Sequence, residues 1–598
     1  MFDEGQGVAS KASDPKATLQ KIMGILAPHK IALITVFILA VLSTSFSVIG
    51  PRVMGRVTTI LVDGILAHLF GTGLLTDFRQ MGFLTGILVG LYIVSSLCSV
   101  LSQSIMARVA NKTVYKLRER VSEKMHKLPL NYYDTRTHGE VLSRLTNDID
   151  NMSNTFGTSI TQLINSSTAL IGTLIMMISI SPLMTASALV IIPASMMLMM
   201  VVLKRSYVYF GAQQEALGEV TSIVEETYSG HDVVRSYNGE TDASAKFTQA
   251  NKKLRASAWK AMFMSNLIEP VFNFVGNLGY VLVCVMGGWM VVQRTITIGD
   301  VQAFIQYIQS FTQPLAELGA ASNQMQGTIA AAERVFEFLD EAEEAPDKSV
   351  SLHKEKYEGR VTFKNVRFGY DPEKIIINDF TQDVKPGQTV AIVGPTGAGK
   401  TTIVKLLMRF YELNSGSILI DGIDSTDMSR SELRDIFGMV LQDTWIYNAS
   451  IMDNIRYGSS DATDEEVIAA AKAAHCHNFI KTLPGGYNMV LNEEASNISQ
   501  GQKQLFTIAR VVLKNPSILI LDEATSSVDT RTEILIQKAM ENVMQGRTSF
   551  VIAHRLSTIK NADLILVMKD GNIVEQGNHD ELLKKEGMYN ELYRSQFS

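Results

Sequence analysis

Hydrophobic and polar positions follow two different patterns along this 598-residue chain. As far as about Thr328 there are long apolar runs without a charge. Beyond about Asp340 short apolar runs alternate with charged segments, as in a soluble α/β protein. A helix needs about 20 mostly apolar residues to cross a bilayer. Ile31–Gly50 and Met81–Ala107 each supply that with no charge inside. Asn151–Leu203 is charge-free for long enough to hold two spans, with Ser181-Pro182 as the turn between them. Ala261–Gln293 and Val301–Ala316 bring the number to six. Thr58–Phe70 is too short for a seventh, and Asp63 and His68 interrupt it.

Basic residues orient these spans. Arg108, Lys112, Lys116, Arg118, Arg120, Lys124 and Lys127 follow the second span, and Lys204, Arg205, Arg235, Lys246, Lys252, Lys253, Arg255 and Lys260 follow the fourth. The Ser181-Pro182 turn has no Lys or Arg. Both termini are therefore expected inside, with Arg52, Arg56 and Arg79 a mild exception on the outer side. Ahead of the first span, Leu19, Ile22, Met23 and Leu26 share one face among Lys16, Gln20 and Lys21, the pattern of a helix lying on the inner surface. The two long basic segments are periodic and are expected to continue the membrane helices into the cytosol. Within them stand Tyr132-Tyr133-Asp134, Gly139-Glu140, Arg144-Leu145 and Asp148-Ile149-Asp150. Taken alone, such charges read as a solvated helical hairpin.

In the second half, Gly394-Pro395-Thr396-Gly397-Ala398-Gly399-Lys400-Thr401 matches the phosphate-binding loop pattern. It follows an apolar strand, Thr389–Val393, and opens a helix with Ile403, Leu406, Leu407 and Phe410 facing inward. Glycines let the backbone wrap phosphates so that N–H groups and a helix N-terminus meet the anion. Lys400 would reach the β- and γ-phosphates and the Thr401 hydroxyl would hold Mg²⁺. A second strand, Ile518–Leu521, reads as buried on both faces and ends in Asp522-Glu523, at the carboxyl end where open α/β sheets bind ligands. Asp522 would join the Mg²⁺ shell and Glu523 would polarise the attacking water. Phe550–Ala553 is a third strand, ending at His554; a lone histidine at such a place is usually structural.

Composition narrows the remaining classes. The net charge of −6 offers no basic face for nucleic acid. Cys98, Cys284 and Cys476 lie in no metal-ligand spacing, and two of them sit in apolar runs, so no disulfide framework is expected. Met1–Pro15 lacks the basic start and short apolar core of a cleavable signal and is too acidic and Arg-poor for a transit peptide. A bacterial inner (cytoplasmic) membrane is the simplest home.

Tyr370, Gly394–Thr402, Gln442, Ser499-Gln500-Gly501-Gln502, Leu521-Asp522-Glu523, Ser526–Asp529 and His554 occur in the order and approximate spacing of an ATP-binding-cassette (ABC) nucleotide-binding domain. The loop elements around Tyr132 to Asp150 look like the coupling segments of ABC exporters. The resemblance covers nearly the whole chain and is most similar to a bacterial heterodimeric multidrug exporter half. It implies an α-helical six-span transmembrane domain followed by an α/β P-loop nucleotide-binding domain. The boundaries expected are an N-terminal segment and surface helix over 1–30, the membrane domain over 31–328, a linker over 329–358 and the ATP-binding domain over 359–598. Bound groups implied are ATP and Mg²⁺, with Tyr370 stacking on adenine, the loop Gly394–Thr402 holding phosphates, and Thr401, Gln442 and Asp522 at the metal. Gln442 would also contact the water and link the nucleotide to the membrane helices; His554 would contact the γ-phosphate, and Asp529 would sense the opposite site. Each ATP would be sandwiched between the phosphate loop of one domain and the Ser-Gly-Gly-Gln-type signature of another. With one such domain, six spans and no internal repeat, the chain must pair.

Two departures from the family pattern bear on the partner. The signature reads Ile498-Ser499-Gln500-Gly501-Gln502, and Asn492-Glu493-Glu494-Ala495 replaces the usual residues upstream. Gln500 puts a long side chain where the backbone must come close to a phosphate. One face is complete and the other compromised, so the partner is expected to be a second, non-identical half-transporter whose own base is substituted. A homodimer with a harmless glutamine is the alternative.

Two polar stripes mark the membrane half. In the fifth span Asn266, Glu269, Asn273, Asn277 and Tyr280 recur at three- and four-residue steps; in the sixth Gln302, Gln306, Gln309 and Gln313 do the same, continuing to Glu317. Phe304, Tyr307 and Phe311 run beside them. Such faces either glue helices together or line a wet cavity. Met196, Met197, Met199 and Met200 could be adaptable packing near a promiscuous site or face lipid. The leading expectation is ATP-driven export of amphipathic, multidrug-type compounds by alternating access, beside membrane lipid. A lipid or peptide exporter of the same architecture, and an ATP-gated channel or sensor, are the alternatives.

Overall fold

The computed structural model describes residues 14–70, 77–348, 357–371, 373–441, 444–492, 497–522, 529–552 and 559–595, apart from some helical side chains in 190–203, 268–275 and at 312. The chain divides into two units, Met1–His126 with Gly139–Glu341 and Lys127–His138 with Ala342–Ser598.

The first unit is helical. In chain order the helices are α1 (Pro15–Leu26), α2 (Lys30–Leu69), α3 (Phe78–Lys127), α4 (Leu130–Asp134), α5 (His138–Ser143), α6 (Ile149–Asn154), α7 (Ile160–Ile180), α8 (Pro182–Ser229), α9 (His231–Ser236), α10 (Glu240–Asn266), α11 (Ile268–Val292) and α12 (Ile298–Asp340). Of these, α4 falls in the second unit. Five of the six expected spans lie on α2, α3, α7, α8 and α12, whereas Ala261–Gln293 is divided at Leu267 between the end of α10 and α11; both basic segments are largely helical continuations. The first helix does not stop at Gly50. It runs through Pro51 and absorbs Thr58–Leu69, with Phe70 as its C-cap, because a chain in lipid must satisfy its backbone within the segment and tolerates an inner proline. Ser181 is extended and its hydroxyl accepts from the Met184 N–H at 3.3 Å, which ends α7 and caps α8 at the expected turn. Gly55 and Gly299 let α2 and α12 cross backbone to backbone; a Cβ at either would overlap the other's carbonyl oxygen.

Two π-helical turns, Arg144–Asp148 and Thr155–Ser159, interrupt the lead-in to α7. They coincide with a row of polar contacts to α12: Asp148 accepts from Arg334 at 2.8 Å, Thr155 meets Thr328, and Ser159 donates to Gln324 at 2.9 Å. Farther along, Ser166 donates to Glu317 at 2.7 Å. Asp148 and Ile149 are buried, and Asp150 pairs with Arg118. The solvated hairpin read from these charges is thus only half right, because the separation of 186 residues between Asp148 and Arg334 hid the pairing. On α1, Ile22 and Leu26 are buried while Leu19 and Met23 are exposed. Asp14 and Lys21 bond Glu333 and Asp340 of α12, so half of the expected surface face is turned to protein. The helix α12 continues to Asp340, so the first part of the expected linker is helix.

The second unit holds two sheets. An antiparallel one has the order β2-β1-β4-β5, with β1 Val361–Phe368, β2 Ile377–Val384, β4 Ser415–Ile420 and β5 Ile423–Asp424. The other runs β10-β9-β3-β8-β7-β6, with β3 Thr389–Val393, β6 Phe437–Val440, β7 Ile518–Asp522, β8 Thr548–Ile552, β9 Leu564–Lys569 and β10 Asn572–Gly577. Its strands β9, β3, β8, β7 and β6 are parallel and read as continuous apolar runs because both faces are covered. Phe363, Phe380 and Phe550 pack edge to face between the sheets. The helices that matter for the site are α13 (Lys400–Leu407), α14 (Arg430–Ile436), α15 (Ile451–Arg456), α16 (Asp464–Ala473), α17 (His477–Thr482), α18 (Gln500–Lys514) and α19 (Thr530–Met544).

Candidate functional site

The order β3-β8-β7-β6 places four carboxyl ends side by side. After β3 comes the loop Gly394–Gly399; β8 ends two residues before His554, β7 ends on Asp522, and β6 ends two residues before Gln442. The crevice at such strand ends is where open α/β sheets bind ligands. Gln442, Glu523 and His554 themselves lie outside the described residues, as do Ser526–Val528 and Glu493–Ala495.

The loop is built for an anion. Gly394, Gly397 and Gly399 all have positive φ, and a Cβ at Gly394 would overlap the Met568 carbonyl oxygen of β9, so only glycine fits there. Pro395, Thr396 and Gly397 are exposed, whereas Ala398 and Thr402 are buried and anchor the turn. Gly399 then starts α13, whose first N–H groups have no helical acceptor. Ile403, Leu406 and Leu407 are buried as the pattern foretold; the helix ends before Phe410, which is only half-buried. The Lys400 ammonium donates to the Gly394 and Pro395 carbonyls at 2.8 and 3.0 Å, bridging the loop's first turn. Burial lowers its pKa, and the nearby Asp522 carboxylate works against that. Thr401 is exposed at the helix start.

Tyr370 stands just beyond β1 with its ring half-exposed, edge to face with Phe368 at 5.1 Å and with Tyr411 at 4.9 Å. Its hydroxyl lies 3.4 Å from Thr402 Oγ1. Asp529 caps α19, accepting from the N–H groups of Thr532 and Arg531 at 3.0 and 3.1 Å; these bonds, led by Thr532, hold its carboxyl below the ordinary range.

Ser499 and Gln502 form a reciprocal capping pair at the start of α18, the serine N–H donating to the glutamine side chain at 2.8 Å. Gly501 is buried. Gln500 turns its amide sideways and donates to Thr444 Oγ1 at 3.1 Å, two residues past Gln442 in the chain. Sequence spacing gave no sign of this bond.

Lys127–His138 carries Tyr132, Tyr133 and Asp134. Asp134 accepts from Lys405 Nζ at 2.7 Å and from the Tyr411 hydroxyl at 2.5 Å. Burial pushes the Asp134 pKa up, but those two bonds and the lysine charge outweigh it and leave the carboxyl below its usual range. The linker is fastened beside it: the buried Arg430 donates to the Ala345 carbonyl, Asp347 and Glu412, each at 2.7 Å. Arg409, also buried, shares Glu412 at 3.0 Å.

In the membrane unit the two polar stripes divide. Asn266 at the end of α10 and Asn273, Asn277 and Tyr280 on α11 are exposed, and the Glu269 side chain lies outside the described residues. On α12, Gln302 and Gln306 are half-buried, Gln309 and Gln313 are exposed, and Gln313 donates to Glu317 at 3.0 Å. Phe304 and Tyr307 are buried among Met177, Met184 and Val283, with the Tyr307 hydroxyl on the Val48 carbonyl at 2.9 Å; they are packing, not a free aromatic stripe. Met197 and Met200 are exposed; the Met196 and Met199 side chains lie outside the described residues.

Residues 33–315 match the model of the ABC transporter transmembrane region, and residues 377–526 that of the ABC transporter domain. A fatty acid ABC transporter ATP-binding/permease protein of Mycobacterium tuberculosis is 43% identical over 95% of both chains. An ATP-dependent lipid A-core flippase of Thiobacillus denitrificans is 33% identical over 91% of this chain and 95% of its own. A putative multidrug export ATP-binding/permease protein of Bacillus subtilis is 37% identical over 81% and 84%, respectively.

Proposed function

Since this chain belongs to the ABC transporters, as an exporter half with an ATPase-coupled membrane domain, we propose that it exports amphipathic compounds, acyl lipids foremost, as one half of a heterodimer. The observation that carries the substrate class is the exposed amide row of Asn266, Asn273 and Asn277 with Gln309 and Gln313 inside otherwise apolar spans. A surface of that kind meets both ends of an amphiphile. The names of the fatty acid and lipid A-core relatives move the acyl class ahead of the multidrug class, which the 37% relative keeps as a second reading. The relatives cited are all bacterial, and a bacterial cytoplasmic membrane with both termini inside is the setting proposed.

In this reading the loop Gly394–Thr402 and Lys400 hold the ATP phosphates and Tyr370 stacks on the adenine. Glu523 polarises the attacking water, with Gln442 and His554 at the same phosphate and Asp529 turned to the opposite site. A Mg²⁺ ion fits the donors present: the exposed Thr401 hydroxyl and the Asp522 carboxylate leave the other positions to phosphate and water oxygens. When bound it would neutralise charge on the β- and γ-phosphates. Closure of two domains around ATP, and their release after hydrolysis, would alternate the access of the membrane half.

Gln500 spoils the signature offered to the partner's nucleotide, and this motivates the heterodimer. Its side chain, however, is folded onto Thr444, which favours a second reading in which the signature still works and the chain is a homodimer. Reconstitution into liposomes tests the function. ATP-driven movement of a long-chain fatty acid, and ATPase stimulation by it, are expected to exceed those of a cationic dye. Equal stimulation by both returns the multidrug reading. Nucleotide binding without phosphate release would instead mean a gated channel or sensor.

A further inference from the structure

A single carboxylate ties the loop segment Lys127–His138 to the aromatic group around Tyr370. Asp134 Oδ2 accepts from Lys405 at 2.7 Å and from the Tyr411 hydroxyl at 2.5 Å. The Lys405 ammonium stands 5.7 Å from the centre of the Tyr370 ring and 5.6 Å from that of Tyr411, within cation–π range of both. Tyr411 meets Tyr370 edge-on at 4.9 Å, and Phe368 holds the pair from behind at 5.6 and 5.1 Å. Lys405 and Thr402 both belong to α13, and Thr402 meets the Tyr370 hydroxyl at 3.4 Å. Burial, and then Asp134, push the Tyr411 hydroxyl far above its ordinary pKa, so it remains a donor.

Tyr370 is the exposed member of this group, and Tyr411 and Phe368 both meet it edge to face. Their packing sets its tilt, and the Lys405 ammonium sets the field at its ring. Asp134 fixes the hydroxyl end of Tyr411 and neutralises Lys405. Without it, Tyr411 loses its anchor and an unpaired cation is left beside the ring face.

We propose that Asp134 is a positioning residue of the nucleotide-base subsite, acting on Tyr370 through Lys405 and Tyr411, so that base occupancy and the seating of the segment Leu130–Asp134 are coupled. This rests on the reading that Tyr370 stacks on the base. It goes beyond docking, in which Asp134 would merely fasten the segment and leave nucleotide binding intact. Coupling of this kind is reciprocal: whatever Asp134 does for the base, the base does for the segment.

Binding to the purified full-length chain, measured by displacement of a fluorescent ATP analogue, tests it with ATP and with inorganic tripolyphosphate, which has no base. Asp134→Asn and Tyr411→Phe are each expected to weaken ATP about fivefold and to leave tripolyphosphate within about twofold. The double variant should lose no more than the worse single one, and Asp134→Glu should regain most of the loss. Hydrogen exchange in residues 130–134 should slow with ATP but not with tripolyphosphate, and that difference should vanish in Tyr411→Phe. The proposal is overturned if both ligands weaken together, if neither does, or if the segment responds equally to both. Tyr411→Phe keeps the ring and gives an answer even where Asp134→Asn misfolds. Tyr370→Ala separates the two readings: if it leaves the preference for ATP over tripolyphosphate unchanged, the stacking assignment fails. If it removes that preference while Asp134→Asn and Tyr411→Phe do nothing, the failure belongs to Asp134 alone.

Discussion

Replacing Gln500 with glycine restores the usual signature and weighs the heterodimer against the homodimer. The folded-state loss is small. Gln500 makes one hydrogen bond between exposed groups, 3.1 Å to Thr444, of a kind worth about 0.5–1.5 kcal/mol. It occupies the first position of α18, where glycine costs less than the ~1 kcal/mol of a helix interior. The reciprocal pair of Ser499 and Gln502 stays in place and keeps the helix start capped. The gain in turnover is bounded from the other side. If the partner's site lacks its base, the deficit is about 10²–10⁴ in rate. Removing a side chain that is already turned aside would recover far less than the ~1.4 kcal/mol needed for a factor of ten. Phosphate release by the reconstituted pair is therefore expected to change by less than about twofold. The purified chain alone should hydrolyse slowly with or without the substitution. A tenfold rise in Gln500→Gly would show that the amide had been obstructing a competent site. Brisk hydrolysis by the chain alone, equal to the pair's, would leave no role for a non-identical partner.

Glu523→Gln keeps shape and hydrogen-bonding reach but removes the carboxylate, so turnover should fall by about 10²–10⁴ while ATP still binds and closes the dimer; hydrolysis near the original rate would mean another base. Glu269→Gln is expected to lower transport of cationic amphiphiles more than of neutral ones with basal hydrolysis kept, and equal loss of both would make the residue structural. Arg430→Met removes the bonds to Ala345, Asp347 and Glu412. Because both carboxylates remain partly exposed, the penalty should be ~2–3 kcal/mol rather than the larger value of a fully buried pair. Thermal unfolding of the full chain should shift down, with faster proteolysis at 342–348; an unchanged melt and cleavage pattern would remove the arginine from the linker's anchorage.

The parts of the site that were legible in the sequence are those whose signal is local. The loop after β3 and the acid Asp522 at the end of β7 announce themselves because a buried parallel strand must be apolar throughout and its ligand groups must come at its end. The bonds that join segments were not legible. Asp134 finds Lys405 and Tyr411 across 271 and 277 residues, and Gln500 finds Thr444 across 56. No periodicity relates such pairs, and a charge at Asp134 looks the same in a solvated turn as in this cluster.

The membrane stripes show the same limit from within a single helix. Four glutamines at helical spacing on α12 read as one face, and the choice between amide glue and cavity lining was posed for the row as a whole. The row is not uniform. Gln302 and Gln306 are half-buried near Phe304 and Tyr307, whose rings pack on α7, α8 and α11, and the Gln302 carbonyl is buried without an acceptor bond among the described residues. Gln309 and Gln313 lie a turn or two farther on, exposed, with Gln313 bonded to Glu317 on its own helix. A polar group left in contact with hydrocarbon is costly, so the exposed pair needs water, a substrate or a second chain against it, whereas the inner pair is half-buried against its own helices. The cavity hypothesis therefore applies to Gln309 and Gln313, with Asn273 and Asn277 of α11 as their exposed counterparts. Substitution of Gln302 or Gln306 should disturb packing before it disturbs transport.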